Sequence, residues 1–569
     1  MMRYTPLFSL LLLLCIPAIG TAQTTQSEAD RSLLPEINPQ DIEIRSEFRA
    51  RFPGLRRQSI LGFNPEPRVF QIDANRMPFI ENRDEAVADL SVTELDRPEP
   101  PQRSLLTTPT RQNLYVRGGF GSFLSPELEA FGFYELNEKS LLSSDVNFSG
   151  SNGHLENQES GFRFLDANIS YYEKTNEDYR FKLEGGVVAD KYSSISPYSD
   201  PNSPEKENLG ASVKGTVKKM ENAFTGFEAS LGGSIFESEL SLANSQINSF
   251  LRSGTVSEKT YFASFSKFWA GQRMYETFDV SAQFQGGNYG QAPLQNWITA
   301  GAALEYERLL NFTTRVTGEV GFQYVSDPFS NKFYVTPEVQ IKHNFTDAFS
   351  VSGSAFTKPK MQTQQEHLQY NRFLGGGTEL RHAYVAGVKG EANYQLFEGN
   401  RIFAGASYNF TRDYAYYQRR DISGPTNTGF YNINYANANI LEFYTGASYQ
   451  LIPEKFWADG RVYFRAPNLS SGQTIPYEEK LGVKGAVSYK PIQALTINGW
   501  TEYIGKRQSP ETNTELNAYL LLNAGAEYQI NDTFGVYAKL LNILGQDYEI
   551  WNGYQERPFQ IFGGITIKL

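Results

Sequence analysis

The chain has 569 residues, a net charge of -11, 14 % aromatic residues and 48 glycines. Its mean hydropathy is -0.44, and past the N-terminus no apolar run reaches the roughly 18 residues that a helical membrane span needs, which excludes helical spans. The acidic balance, with no dominant basic face, argues against a nucleic-acid partner and suits soluble surface loops.

Residues 1–22 read as a secretory signal: Arg3 supplies the positive end, residues 7–19 the apolar stretch, and Gly20, Thr21 and Ala22 the small-residue cleavage site. Cys15 is the only cysteine and is preceded by Leu12, Leu13 and Leu14 inside that stretch, so removal is expected rather than lipid attachment. The remaining chain then has no thiol, no disulfide framework and no thiolate metal site. Residues 23–111 differ from everything after them. They hold ten of the 27 prolines, twelve arginines and no lysine, with little strand alternation. Pro98, Glu99, Pro100 and Pro101 look like an extended linker. Ile44, Phe48, Phe52 and Leu55 share one helical stripe beside Arg45 and Arg49, and Pro53 ends it. This predicts a short irregular periplasmic segment with a helix near residues 41–52. Such a helix could dock beneath a barrel or on a partner, or form only transiently in a tail; both readings stay open.

From residue 112 the period changes to two. Phe312, Val316, Val320 and Phe322 alternate with Arg315, Glu319 and Gln323. Tyr384, Ala386, Val388, Ala392 and Tyr394 oppose Lys389, Glu391, Asn393 and Gln395, and Leu481, Val483 and Val487 oppose Lys484 and Ser488. A slip of one residue would exchange charge for apolar surface, so each register is specified. Tight turns are expected near Lys174, Lys219, Ala270, Leu310, Thr346, Gly399, Pro453, Pro491 and Asn531, which with one earlier hairpin gives about 22 strands. Hairpins in unbroken succession suit lipid, where every strand edge must find a partner. The predicted fold is therefore all-β: a transmembrane antiparallel β-barrel over residues 112–569. An even strand count puts the first and last residues of the barrel on one side of the membrane.

Tyr171, Tyr306, Tyr394, Tyr449, Tyr489 and Tyr528 all fall on the apolar face shortly before a turn, where an amphipathic ring can sit at headgroup level. They are read as a periplasmic aromatic girdle. Longer connections rich in Ser, Asn, Gly and Pro alternate with the turns, at residues 191–208, 360–378, 411–439 and 466–477. Short turns on one side and long loops on the other is the asymmetry of outer-membrane barrels, with the loops outside.

The closing segment carries a family resemblance. Residues 534–554, with Asn542, Ile543, Leu544, Gly545 and then Tyr548, resemble the penultimate strand and loop of TonB-dependent receptor barrels. Residues 559–569 resemble that family's last strand, with Phe559, Ile561, Ile565, Ile567 and Leu569 outward and Gln560, Thr566 and Lys568 inward. The resemblance implies an outer-membrane location in a Gram-negative cell, uptake of a small nutrient, and a TonB system or a periplasmic or surface lipoprotein as partner. Two departures stand against it. Leu569 replaces the usual terminal aromatic, and residues 23–111 are too short and strand-poor for the family's plug, with no clear TonB box. A passive porin-like channel gated by the N-terminal segment and a scaffold barrel in an envelope assembly or secretion complex therefore remain alternatives.

A barrel of about 22 strands is too wide for side chains alone to fill, so its lumen must be occupied by the N-terminal segment, inward-folded loops or a second protein. Arg315, Glu319, Lys389, Glu391, Asp459, Arg461, Arg465 and Glu527 predict a lumen wall of mixed sign, suited to a hydrated contact or to a generic wet lumen. The best binding candidates lie around the loop at 411–439: Tyr414, Tyr416, Tyr417, Phe430, Tyr431 and Tyr435 flank Arg419 and Arg420. Their rings could stack on sugars, aromatic ligands or a partner, or belong to strand extensions and an outer girdle. The four histidines, His154, His343, His367 and His382, show no metal spacing and no nucleophile motif, so no cofactor, metal or catalytic residue is expected.

Overall fold

The computed structural model describes residues 113–569 apart from 156–159, 176–177, 194–204, 223–224, 242–253, 274–275, 291–295, 376–379, 398–399, 420–429, 453–454 and 511–513. The expectations for residues 1–111 (signal, linker and helix) and for Arg420 lie outside the described residues.

Twenty-two strands form one closed antiparallel sheet, from Leu114–Gly121 to Gln560–Lys568. The first and last strands pair with each other, Tyr115 opposite Lys568 and Gly121 opposite Phe562, so the sheet has no free margin. Two-residue alternation explains the closure. Exposed large apolar side chains share one face of each strand, as in Leu183 and Val187, Leu209 and Val213, or Leu231 and Ile235 on neighbouring strands. A continuous belt of this kind is stable only against lipid. No helix among the described residues is long and apolar enough to cross a membrane.

One end of the barrel carries tight turns, as after Ser125–Asn137, Trp297–Asn311 and Leu481–Ile492. Asparagines shape several of them: the Asn137, Asn311 and Asn531 side-chain oxygens accept backbone N–H bonds from Lys139, Thr313 and Phe534 at 2.8, 3.0 and 2.7 Å. The other end carries the long loops, with short exceptions at residues 122–124 and 328–329. Leu114 N–H donates to Leu569 O at 2.9 Å, placing both described termini at the turn end.

The glycine content has a packing reason on the lumenal face. Aromatic rings lie across directly opposed glycines, such as Tyr444 over Gly405 and Tyr463 over Gly482. A Cβ at either glycine would run into the ring, so only glycine lets the ring lie flat on the neighbouring strand.

Candidate functional site

The loop end is closed by segments that fold inward over the lumen. The strands Asn400–Arg419 and Tyr431–Ile452 have 20 and 22 residues, twice what a bilayer crossing requires. Their ladder is interrupted between Thr411 and Tyr414, where Asp413 adopts a φ of 55°. A bulge bends a hairpin, and above this one Tyr417, Tyr431 and Ile433 are buried in the cap.

Residues 362–375 supply the middle of the cap. A helix, Gln364–Tyr370, starts with a reciprocal capping box: Thr363 Oγ1 accepts from Glu366 N–H at 3.2 Å, and Glu366 Oε2 accepts from Thr363 N–H at 2.9 Å. The next two orphan amides, on Gln364 and Gln365, each donate to the Glu258 carboxylate at 3.1 Å. Glu258 belongs to the wall strand Gly254–Ala270 and also accepts from Tyr289 Oη at 2.7 Å. A wall carboxylate thus satisfies the helix start and fixes it to the rim.

Trp551 lies at the centre of the aromatic core. Its ring lies 4.8 Å from Tyr477, 5.1 Å from Tyr431 and 5.5 Å from Tyr417, and Phe373 stacks on Tyr554 at 3.6 Å. Arg507, 1 % exposed, donates to the carbonyls of Ile550 and Glu549 at 3.0 and 2.6 Å and braces the hairpin that carries Trp551. On the opposite wall, Lys206 Nζ donates to Leu374 O at 2.5 Å, Tyr192 Oη donates to Arg372 O, and Phe236 enters the same core. The cap therefore spans the mouth from one wall to the other.

His367 is fully enclosed by this packing, with Nδ1 2.8 Å from Tyr417 Oη. Burial, helped by the Lys360 charge, pushes its pKa down to about 3, so the ring is neutral in the docked cap. His154 Nε2 lies 3.1 Å from Gln555 O, and burial lowers its pKa as well. His343 sits near the turn end against Thr314. Asp327, His382 and Thr299 line up as carboxylate, imidazole and hydroxyl at 2.8 and 2.7 Å, with Thr299 only 4 % exposed.

The eight residues read from sequence as a charged wall all alternate with outward apolar residues and so face the lumen. Glu442 accepts from both Arg461 and Arg465 at 2.6 Å, and Arg465 also donates to Glu479 at 2.9 Å. Lys568 pairs with Glu527 at 2.7 Å, Arg315 with Glu307 at 3.6 Å, and Lys389 with Glu391 at 3.8 Å. Asp459 accepts from Ser448, and Glu319 lies opposite Glu305 and Glu338. Tyr394, Tyr449, Tyr489 and Tyr528 are exposed on the outer face close to the turn end; Tyr171 and Tyr306 share that face but are half-buried, hydrogen-bonded to Glu173 and Glu276.

The aromatic residues around 411–439 take a different place from a free loop surface. Tyr414, Tyr416, Tyr417 and Arg419 lie in one strand, Tyr431 and Tyr435 in the next. Tyr417, Arg419, Phe430 and Tyr431 are buried within the cap, and Tyr414, Tyr416 and Tyr435 are half-buried against it. Sequence reasoning missed Glu258, Phe373, Tyr477, Trp551 and Tyr554. For the last two a signal existed: they flank Asn552 and Gly553, a hairpin dipeptide, and Gly553 takes a φ of 83°.

No family model matches this chain, and no curated protein matches it. Solved structures do. The FrpB iron transporter from Neisseria meningitidis aligns with a TM-score of 0.63 at 11 % identity, over 81 % of this chain and 82 % of its own. The ferric-catecholate import receptor Fiu from Escherichia coli K12, in its closed form, aligns at 0.61 and 11 % identity, again over 81 % and 82 %. The copper transporter OprC aligns at 0.60 and 12 % identity, over 83 % and 82 %. At such identities the likeness concerns the fold. The 22-stranded barrel structurally matches TonB-dependent receptors.

Proposed function

We propose that this chain is a receptor of the Gram-negative outer membrane that binds a nutrient at its loop end and takes it up with the help of a TonB system. The cap carries this reading. A passive channel needs an open mouth, whereas here an aromatic core tied to opposite walls lies across it. In this orientation the loops face outside and the turns face the periplasm.

The cap also offers the binding surface. Half-buried Tyr414, Tyr416 and Tyr435 lie at its margin, and Arg381 stands 5.1 Å over the Tyr435 ring. Rings and guanidinium together suit a planar or sugar-like ligand. The similar structures are named for ferric-catecholate, iron and copper cargo, so metal complexes are the first probes to try. Uptake into cells expressing this chain should vanish when the TonB system is deleted, and the purified protein should stay silent in planar bilayers. Unchanged uptake together with a large steady conductance would refute the proposal in favour of passive diffusion.

A further inference from the structure

Strands Ser330–Asn344 and Phe349–Met361 pair from Asn344 opposite Ser350 up to Glu338 opposite Phe356, and no further. Both continue toward the loop end on their other neighbours, the first through residues 330–337 and the second through 357–361. The cause is readable from hydrogen-bond direction. Asn344 N–H donates to Thr313 O at 2.7 Å, away from this seam, so odd-numbered residues of that strand face it. Gln395 N–H donates to Ala348 O at 2.7 Å, so odd-numbered residues of the second strand face it too. Pro337 and Pro359 are both odd. Continuing the register sets Pro337 opposite Thr357 and Val335 opposite Pro359, so two successive rungs each lack a donor.

Side chains hold the seam where the ladder does not. Thr357 Oγ1 donates to Val335 O at 3.3 Å, Tyr334 stacks on Tyr384 at 5.0 Å, and above them Asp327 accepts from the backbone and ring of His382 at 2.9 and 2.8 Å. Six paired residues, or about 15 Å at the usual rise and tilt, separate the turn end from the last rung. The seam thus begins near the middle of an apolar band about 25 Å tall and runs through its loop-side half. Its two faces differ in chemistry. Phe333 and Val335, 80 % and 51 % exposed, flank it outside. Lys332, Lys358 and Lys360 alternate onto the lumenal side, and none forms an ion pair among the described residues. Lys358 stands 5.7 Å over the buried Phe356 ring at the last rung, and Lys360 acts electrostatically on His367 in the cap helix.

We propose that this seam is a lateral port, through which a single-chain amphiphile with an anionic head passes between the membrane and the lumen beneath the cap. The tail lies along Phe333 and Val335, and the head meets the three lysines. The port rests on the barrel standing in a bilayer and not on the uptake reading.

The test uses the full chain with Cys15→Ser and Ser354→Cys, a lumenal position just below the seam, reconstituted in phosphatidylcholine vesicles. Two hexadecyl maleimides are compared, one carrying a carboxylate and one a trimethylammonium group. The anionic reagent should label Cys in the folded barrel, and faster than the cationic one. Restoring the donors with Pro337→Val and Pro359→Val should slow labelling about tenfold or more, since each ladder bond shifts the closed population several-fold. Lys332→Gln, Lys358→Gln and Lys360→Gln together should erase the head-group preference while leaving the ladder unchanged, which keeps the test decisive if the proline variant does not fold. No labelling of the folded parent, equal rates for the two reagents, or an unchanged rate in a folded proline variant would each overturn the port.

Discussion

Replacing Glu127 by Ala should destabilise the barrel by about 3–5 kcal/mol, because it strands a buried lysine. Glu127 lies on Ser125–Asn137, whereas its partners Tyr537 and Lys539 lie on Phe534–Leu541. The first and last strands, Leu114–Gly121 and Gln560–Lys568, run between them. The contact can cross that distance because Gly119 and Gly564 lie beneath the Tyr537 ring, where any side chain would collide with it. Tyr537 Oη and Lys539 Nζ then donate to the Glu127 carboxylate at 2.7 and 2.6 Å, with the lysine and glutamate side chains only 10 % and 14 % exposed. Arg117 is already engaged by Glu129 at 3.4 Å, so Lys539 would be left without its pair. Removing both charges with Glu127→Leu and Lys539→Met should cost far less, since a buried pair stabilises little over apolar residues of similar volume. Urea unfolding in vesicles, followed by the mobility shift of folded barrel on gels, measures both variants. A single variant within about 0.5 kcal/mol of the parent, or a double variant as unstable as the single, would refute this account of the barrel's closure.

Acidification should release the cap. His367 is neutral when docked, with a pKa near 3, and regains its ordinary value near 6.5 when undocked, so stability is complete above 6.5 and lost as pH falls toward 3. At pH 5 the loss is about 2 kcal/mol, and hydrogen exchange of the amides at 362–375 should speed up there in the parent and not in His367→Gln. Glu258→Ala leaves the Gln364 and Gln365 amides without their acceptor, an expected loss of about 1–3 kcal/mol. It should produce openings in planar bilayers where the parent is silent; continued silence would count against Glu258 as the anchor. Gly482→Ala drives a methyl into the Tyr463 ring and should cost about 1–3 kcal/mol, whereas Gly390→Ala meets nothing within 4 Å and should be neutral in the same urea assay.

The barrel wall was legible because lipid on one side and water on the other impose a period of two on every crossing. In Thr314–Asp327 the even residues Val320 and Phe322 are exposed and apolar while Arg315 and Glu319 take the other face, as the sequence alternation assigns them. The tight turns expected near Lys174, Ala270, Thr346 and Asn531 fall where strands end, since short polar residues next to a periodic run report local hydrogen bonding. The cap was not legible in the same way. Tyr417 and Tyr431 stood out as aromatics near a loop, yet nothing local distinguishes a ring offered to a ligand from one packed beneath Trp551, more than a hundred residues later in the chain.

The amino-acid order by itself therefore determined the strands, their number, the face each side chain takes and the end at which the chain turns tightly, all of which depend on neighbours a few residues apart. Tertiary structure alone decided that the loops fold over the lumen, that Glu258 receives the start of a helix more than a hundred residues downstream, and that Pro337 and Pro359 direct their missing donors into one seam. Those outcomes depend on which strands become neighbours around a closed ring, and local periodicity carries no information about distant partners.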